Sequence, residues 1–400
     1  MGPISGADEL LVTYATHLRR TGVEVSALLM FPHPGDTYYG RLRRAGVPVE
    51  GLAQGATVTA MQAGRRLASK LLTAAPFTQR LIRHGSRRVS GGFAGRHYER
   101  CLDQIARLRP DVIHVITPDP ASVVFIRAGH ELGVPVLYQE AGIPFHPPGY
   151  ESYYEHFTTA LPLCAGVAAL SPALAEMCRA VMPPGRPVTV LPLISDEVSL
   201  RHKSREGGVV FGFAARAEAL KGVTELMEAF GLAREKDEGV RLYAACAGSK
   251  LGEMLARAEA LGAASDFKHL GVYEGREGRA DFLRRIDVLV LPSHTEGTPN
   301  VIAEAMSRSI PVIATGVGGI PDMLGDDAGL LVPVGDARAL ADAMLRLASD
   351  PHLRASMGRA ARSRYETTYA PQVVLPTLLE TYNRLLGREE AEPLPQAAAV

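Results

Sequence analysis

Short apolar runs of strand length alternate along the chain with longer segments whose apolar positions recur at helical spacing. In the first half, Val23–Met30, Val112–Val115, Val134–Tyr138 and Val188–Leu191 read as buried strands. In the second half, Val209–Ala214, Val240–Cys246, Val288–Leu291 and Val312–Thr315 read the same way. Gly or Pro follows most of them, and then a helical pattern begins. Continuous apolar runs, rather than strict alternation, belong to strands covered on both faces. The pattern therefore predicts α/β architecture with parallel, doubly wound sheets. It occurs once before and once after Ser195–Gly208, a polar, charged stretch ending in Gly that reads as a linker.

The opening departs from this rhythm. Ser5-Gly6-Ala7-Asp8 begins a helical pattern that runs to Arg20, where a doubly wound domain places such a loop after a strand. Met1–Ile4 is a poor strand. Two expectations stand: a first strand is missing or lies upstream, or the domain begins with a helix.

The 400 residues suit two domains, and 46% apolar with 22% charged residues is globular composition. Lys and Arg number 43, as do Asp and Glu, which excludes a generally basic nucleic-acid binder. Four scattered cysteines fit neither a zinc site nor a disulfide framework and suit a reducing cytoplasm. The longest apolar candidate for a membrane span, 160–175, is broken by Pro162 and Pro172, and Met1-Gly2-Pro3-Ile4 does not read as a signal peptide.

Candidate chemistry lies in three places. The first is Pro292–Met306, where a strand gives way to a turn and a helix. Thr298 is expected as the N-cap, Pro299 at the first helical position, and the helix to about Arg308. Its first amides, near Asn300 and Val301, lack intrahelical acceptors and with the helix dipole favour phosphate. Glu296 before that terminus and Glu304 within the helix are placed to grip hydroxyls at either end of an elongated sugar nucleotide; the plainer alternative is two surface acids. The second place is the loop after Val209–Ala214, where Arg216 and Lys221 beside Gly222 present two cations suited to a diphosphate. The third is the Gly-rich turn Thr315–Asp322, which lets backbone approach a ligand closely.

These three elements, in this order, resemble glycosyltransferase family 4, retaining enzymes of the GT-B fold. Pro311–Thr315 and Gly318-Gly319 also look like that family. In the first half, Ser5–Asp8 is similar to its Gly-Gly-x-Glu loop, Asp111–His114 to its Asp-x-x-His strand and Ala169–Ser171 to its Val-Ser strand end. The resemblance implies two Rossmann-like domains facing a cleft. They would cover 1–194 (acceptor side) and 209–371 (nucleotide sugar), joined by a linker over 195–208. A helix over 372–387 would cross back to the first domain; the Pro/Ala/Glu-rich composition of the last residues separately predicts a disordered tail over 388–400. It implies that Arg216 and Lys221 bind the donor diphosphate, that Glu296 contacts the transferred sugar and that Glu304 binds ribose hydroxyls. Backbone of Gly297, Thr298, Pro299, Asn300 and Val301 would hold sugar and phosphate, Gly6 would approach the diphosphate, and the backbone of Leu270-Gly271-Val272-Tyr273 would contact the base. No cofactor or metal is implied, and the sequence holds no Asp-x-Asp tripeptide.

Three departures from the family pattern stand out. Ala141 occupies a position that carries His in many members; Glu140 and His146 are the candidate substitutes on the acceptor side, each with an equally plain structural reading. Leu193-Ile194 replaces an Asn-Gly, and Ala215 a Gly. Separately, residues 65–100 hold nine Lys or Arg and one acid, with apolar residues interleaved. That block is either a basic amphipathic face meeting anionic lipid, or a solvated helix pair. The expected partners are a nucleotide-sugar donor and a sugar or lipid-linked acceptor, in the cytoplasm or peripherally at the inner face of a membrane. A nucleotide-sugar epimerase of the same fold and an inactive nucleotide-binding homologue are the rival readings.

Overall fold

The computed structural model describes residues 6–30, 37–52, 97–116, 123–142, 159–180, 182, 185–198, 208–263, 265–273 and 275–388. The second half is built on a six-stranded parallel sheet of β7 (Val209–Phe213), β8 (Val240–Ala244), β9 (Phe267–His269), β10 (Val288–Leu291), β11 (Val312–Thr315) and β12 (Gly329–Val332). Its spatial order is β12-β11-β10-β7-β8-β9. Phe211, Phe213 and every residue of β10 are at most 1% exposed. Burial on both faces is why these strands read as unbroken apolar runs.

The strand order places the candidate site. The chain winds outward from β7 through β8 to β9, then returns to the other side of β7 with β10. Val288 of β10 pairs with Phe211 of β7. Between β7 and β10 the connections diverge, and such switch points open a crevice at the carboxyl ends of the strands. The two loops there carry Arg216 with Lys221, and Glu296.

The first half holds a four-stranded parallel sheet in sequential order: β3 (Ile113–Val115), β4 (Val136–Glu140), β5 (Gly166–Ala169) and β6 (Val188–Val190). A separate parallel pair is formed by β1 (Ala27–Leu29) and β2 (Val49–Gly51). Among the described residues no strand joins β1 to β3. A shared core of Leu28, Leu52, Ile105, Ile113 and Val124 packs the two pieces together. Helix α1 (Gly6–Arg20) and α2 (Thr37–Arg44) cover the pair, a helix over 97–108 (α3) follows, and α4 (Val123–Glu131) and α5 (Pro172–Arg179) complete this half.

The second half adds α6 (Val223–Lys236), α7 (Leu251–Ala260), α8 (Gly275–Arg284), α9 (Asn300–Met306), α10 (Ile320–Leu324), α11 (Ala337–Ser349) and α12 (Pro351–Arg364). A π-helical turn over Tyr365–Tyr369 leads into the last helix, α13 (Pro371–Leu385). Tyr382 of α13 meets His114 of β3 at 2.8 Å, and Leu385 packs against Gly166 of β5.

Two local expectations are corrected. Helix α9 spans seven residues and stops at Met306, because Ser309 adopts a left-handed φ of 57° and the Ile310 amide donates back to Ala305. Its N-cap is Pro299, not Thr298, and no side chain caps it. The start of the expected linker is also firmly held. Ser195 donates its amide to the Tyr369 carbonyl and accepts from the Tyr365 hydroxyl, and Val198 is buried. Residues 199–207 lie outside the described residues, as do 53–96, which include most of the basic block.

Candidate functional site

The loop after β7 is shaped by Gly222, which takes φ 66° between a short 3-10 turn (Ala219–Lys221) and α6. A Cβ there would lie 1.9 Å from the Pro292 carbonyl oxygen, so the Lys221 loop lies directly on the backbone at the end of β10. The His294 amide donates to the Leu220 carbonyl, and the His294 ring lies 2.9 Å from Glu225 on α6. These contacts bring two loops 75 residues apart into one wall of the crevice.

Across that wall Lys221 Nζ donates to Glu296 Oε1 at 2.6 Å, and both side chains are largely buried. Ser293 Oγ donates to the same Oε1 at 2.7 Å, and Thr315 donates to the Ser293 carbonyl. Glu296 is thus fixed by one cation and one hydroxyl. Behind it, Gly318 at φ 57° packs where any Cβ would strike the Glu296 carbonyl, and the Gly319 amide donates to the Gly297 carbonyl at 2.8 Å. The Gly-rich turn therefore supports the Glu296 loop from below through close backbone contact and the Thr315 hydroxyl.

Opposite lies the end of β4. A Cβ on Gly297 would come within 3.0 Å of Gly142, so the two halves approach backbone to backbone. Glu140 is buried and accepts from the Tyr138 hydroxyl and from the Gly142 amide, at 2.8 and 2.9 Å. Both bonds shape the 140–142 turn that faces Gly297. His146 lies outside the described residues.

The remaining expected residues belong to several different elements. Arg216 is half exposed and pairs with Glu218 of its own loop at 3.3 Å, not with Glu296. Thr298 is buried, and its Oγ1 has no partner among the described residues. Asn300 and Val301 form the first turn of α9, and Gly6 opens α1. Val272 follows Gly271 beyond β9 and is 55% exposed, an apolar side chain in the open.

Glu304 is 5% exposed and does not face solvent as a surface acid. It accepts from Arg279 Nη1 of α8 at 2.7 Å, and the Tyr273 hydroxyl lies 3.4 Å away. Burial and the Glu304 charge push the Tyr273 hydroxyl well above the ordinary tyrosine range, so it stays protonated. Glu304 and Arg279 line a small, water-sized pocket, partly open to solvent, with Glu9, Thr13, Ile194, Ser195, Asp196 and Asn300. At its rim His17 Nε2 lies 2.6 Å from Asp196.

Sequence reasoning gave no side-chain role to Ser293, Arg279 or Glu9, and took Tyr273 only as the end of the segment expected to contact the base. Ser293 carries a local signal, three residues before Glu296 in the same loop. The other three come from elements that no spacing connects to α9. Among the described residues no group of three or more His, Cys, Asp or Glu is placed to hold a metal, and no helix is long and apolar enough to cross a membrane.

Known proteins share this architecture. The family described as Glycosyl transferases group 1 matches residues 208–350, the part that carries Arg216, Lys221, Glu296 and Glu304. The capsular polysaccharide biosynthesis glycosyltransferase CapM of Staphylococcus aureus is 28% identical over 198 residues, 48% of this chain and 50% of that protein. A D-inositol 3-phosphate glycosyltransferase of Saccharomonospora viridis is 34% identical over 188 residues, 45% of this chain and 43% of that protein. The chain thus matches about half the length of these curated relatives. Among solved structures, Anabaena HepE in complex with UDP aligns with a TM-score of 0.74 at 17% identity, covering 96% of this chain and 98% of that one. Sucrose-phosphate synthase from Thermosynechococcus elongatus aligns with a TM-score of 0.72 at 17% identity, covering 96% and 94%. The fold is GT-B, two Rossmann-like units about a cleft, and the chain is related to the family 4 glycosyltransferases.

Proposed function

We propose that this protein is a retaining glycosyltransferase that moves a sugar from a nucleoside-diphosphate donor to a sugar or lipid-linked acceptor. The observation that carries the reading is the Lys221–Glu296 contact of 2.6 Å at the switch point between β7 and β10. It sets a cation suited to the donor diphosphate beside a carboxylate suited to the hydroxyls of the transferred sugar. Arg216 on the same loop has a flexible, half-exposed guanidinium able to turn to the diphosphate. Exposed Val272 offers an apolar surface to the base, and the first amides of α9 add to the phosphate site.

The chemistry follows from that layout. The bond between the anomeric carbon and the diphosphate oxygen breaks, and the nucleoside diphosphate leaves with the electron pair. The acceptor oxygen bonds to the same face of the anomeric carbon, and its proton passes to the leaving phosphate. Negative charge grows on the diphosphate as the bond stretches. Lys221, Arg216 and the helix terminus stabilise that charge more in the transition state than in the ground state. Glu296, held by Lys221 and Ser293, orients the sugar.

A panel of UDP-, GDP- and ADP-sugars tested by ligand-induced melting shift and by nucleoside-diphosphate release checks this. Glu296→Ala and Lys221→Ala are expected to stay folded and to lose roughly 100- to 1,000-fold in turnover, the usual effect of removing one preorganised electrostatic group. Wild-type turnover in both variants overturns the site. Epimer formation without transfer would replace the transferase reading by the epimerase one.

The basic block over 65–100 supports a second part of the proposal, a peripheral contact with anionic lipid near the acceptor. Co-sedimentation with phosphatidylglycerol vesicles is expected to exceed that with phosphatidylcholine and to fall with added salt. Equal recovery with both sinks this part alone.

A further inference from the structure

Four charged side chains alternate in sign across the cleft. Glu304 of α9 holds Arg279 of α8 at 2.7 Å, and Arg279 Nη2 lies 3.6 Å from Glu9 of α1. Glu9 in turn takes two bonds from Arg41 of α2, at 2.5 and 2.9 Å. Arg279 is 7% exposed, and its Nε is buried with no partner among the described residues. The row therefore runs from the second half of the molecule into the first, with its least exposed pair beside the pocket.

Stability does not account for such a row. Desolvating two charges consumes most of their mutual attraction, and apolar residues of similar volume commonly serve a core as well or better. Ligand orientation does account for it. A carboxylate meets a vicinal diol with both oxygens only when its plane is fixed, and a free glutamate rotates about its last bond. Arg279 fixes Oε1 and Tyr273 approaches Oε2, while Glu304 still borders the open pocket.

We propose that Arg279 is a positioning residue that holds the Glu304 carboxylate in the plane that receives the donor's ribose hydroxyls, with Glu9 and Arg41 bracing Arg279 from the far side of the cleft. This rests on the reading of Glu304 as the ribose ligand. Without Arg279 the buried carboxylate either takes up a proton or turns away, and both outcomes weaken its grip on a hydroxyl.

The test is the affinity of the purified protein for UDP, GDP and ADP against their 2′-deoxy counterparts, by titration calorimetry. Wild-type protein is expected to prefer the ribonucleotide roughly 10- to 100-fold, as befits a charge-assisted hydrogen bond. Arg279→Met is expected to reduce that ratio to within about threefold, and Arg279→Lys to restore part of it, since an ammonium anchors a carboxylate at one point. A natively melting Arg279→Met with the wild-type ratio overturns the proposal. If Arg279→Met does not fold, Glu9→Gln decides: a ratio lowered severalfold supports the brace, and an unchanged ratio overturns it. Glu304→Gln tests the parent reading separately. A wild-type ratio in Glu304→Gln removes the ribose assignment itself, whatever Arg279 does.

Discussion

His114 shows how one side chain couples folding to pH. Its Nδ1 meets the Tyr382 hydroxyl, its Nε2 is shielded with no partner among the described residues, and burial lowers its pKa to about 3. In the unfolded chain it titrates near 6.5. Between those values the unfolded state binds a proton that the folded state refuses, so stability is full above pH 6.5 and lost as pH falls. The loss between pH 7 and pH 5 is up to about 2 kcal/mol. Urea midpoints across that range should fall in the wild type, and the fall should flatten in His114→Gln. An identical slope in both would remove His114 from the account. The Glu296–Lys221 pair was legible at this scale as residue types in loops after strands; their direct contact was not, because only the fold of the two loops makes it. Arg279 gave no sign at all, since residues 9, 41, 279 and 304 share no period and are joined into one row only by the Arg279–Glu9 contact across the cleft.

Elements were legible in proportion to how fully they are buried. β10 and β11 occupy the residues their apolar runs mark, because both lie inside the six-stranded sheet with both faces covered. Strands β9 and β12 were missed. They form the two edges of that sheet, Lys268, His269 and Leu331 are exposed, and an edge strand has no unbroken apolar run to announce it. β5 was marked only by the likeness of Ala169–Ser171 to a strand end, because its four apolar residues lie inside a longer apolar stretch. The loop after β7 depends on Gly222 more than on either cation. Gly222→Ala meets a left-handed φ and the Pro292 carbonyl together, and should cost about 2 kcal/mol or more while lowering turnover through displaced Lys221. Gly252→Ala is the control: it lies in α7 with nothing within 4 Å of the added methyl, and should be neutral or slightly stabilising. Urea midpoints of the two variants check both statements.

For the whole molecule, the repeated strand–helix rhythm on either side of Ser195–Gly208 foretold two Rossmann-like units, and the strand order then fixed where their crevice opens. The flat net charge foretold less, because opposite charges are gathered into unlike places: a basic block in 65–100 and a partly buried alternating row at the cleft. The halves also meet through the Tyr365–Tyr369 turn at Ser195 and through Asp322, which accepts from the Ala173 amide at 2.9 Å. The Lys221–Glu296 pair bears on the timing of a catalytic cycle. If Lys221 is the diphosphate ligand proposed above, Glu296 competes for the same ammonium. On that reading a spent nucleotide has to outcompete a carboxylate that never diffuses away. On the transferase reading, that tethered rival shortens the residence of the nucleoside diphosphate and readies the crevice for the next donor.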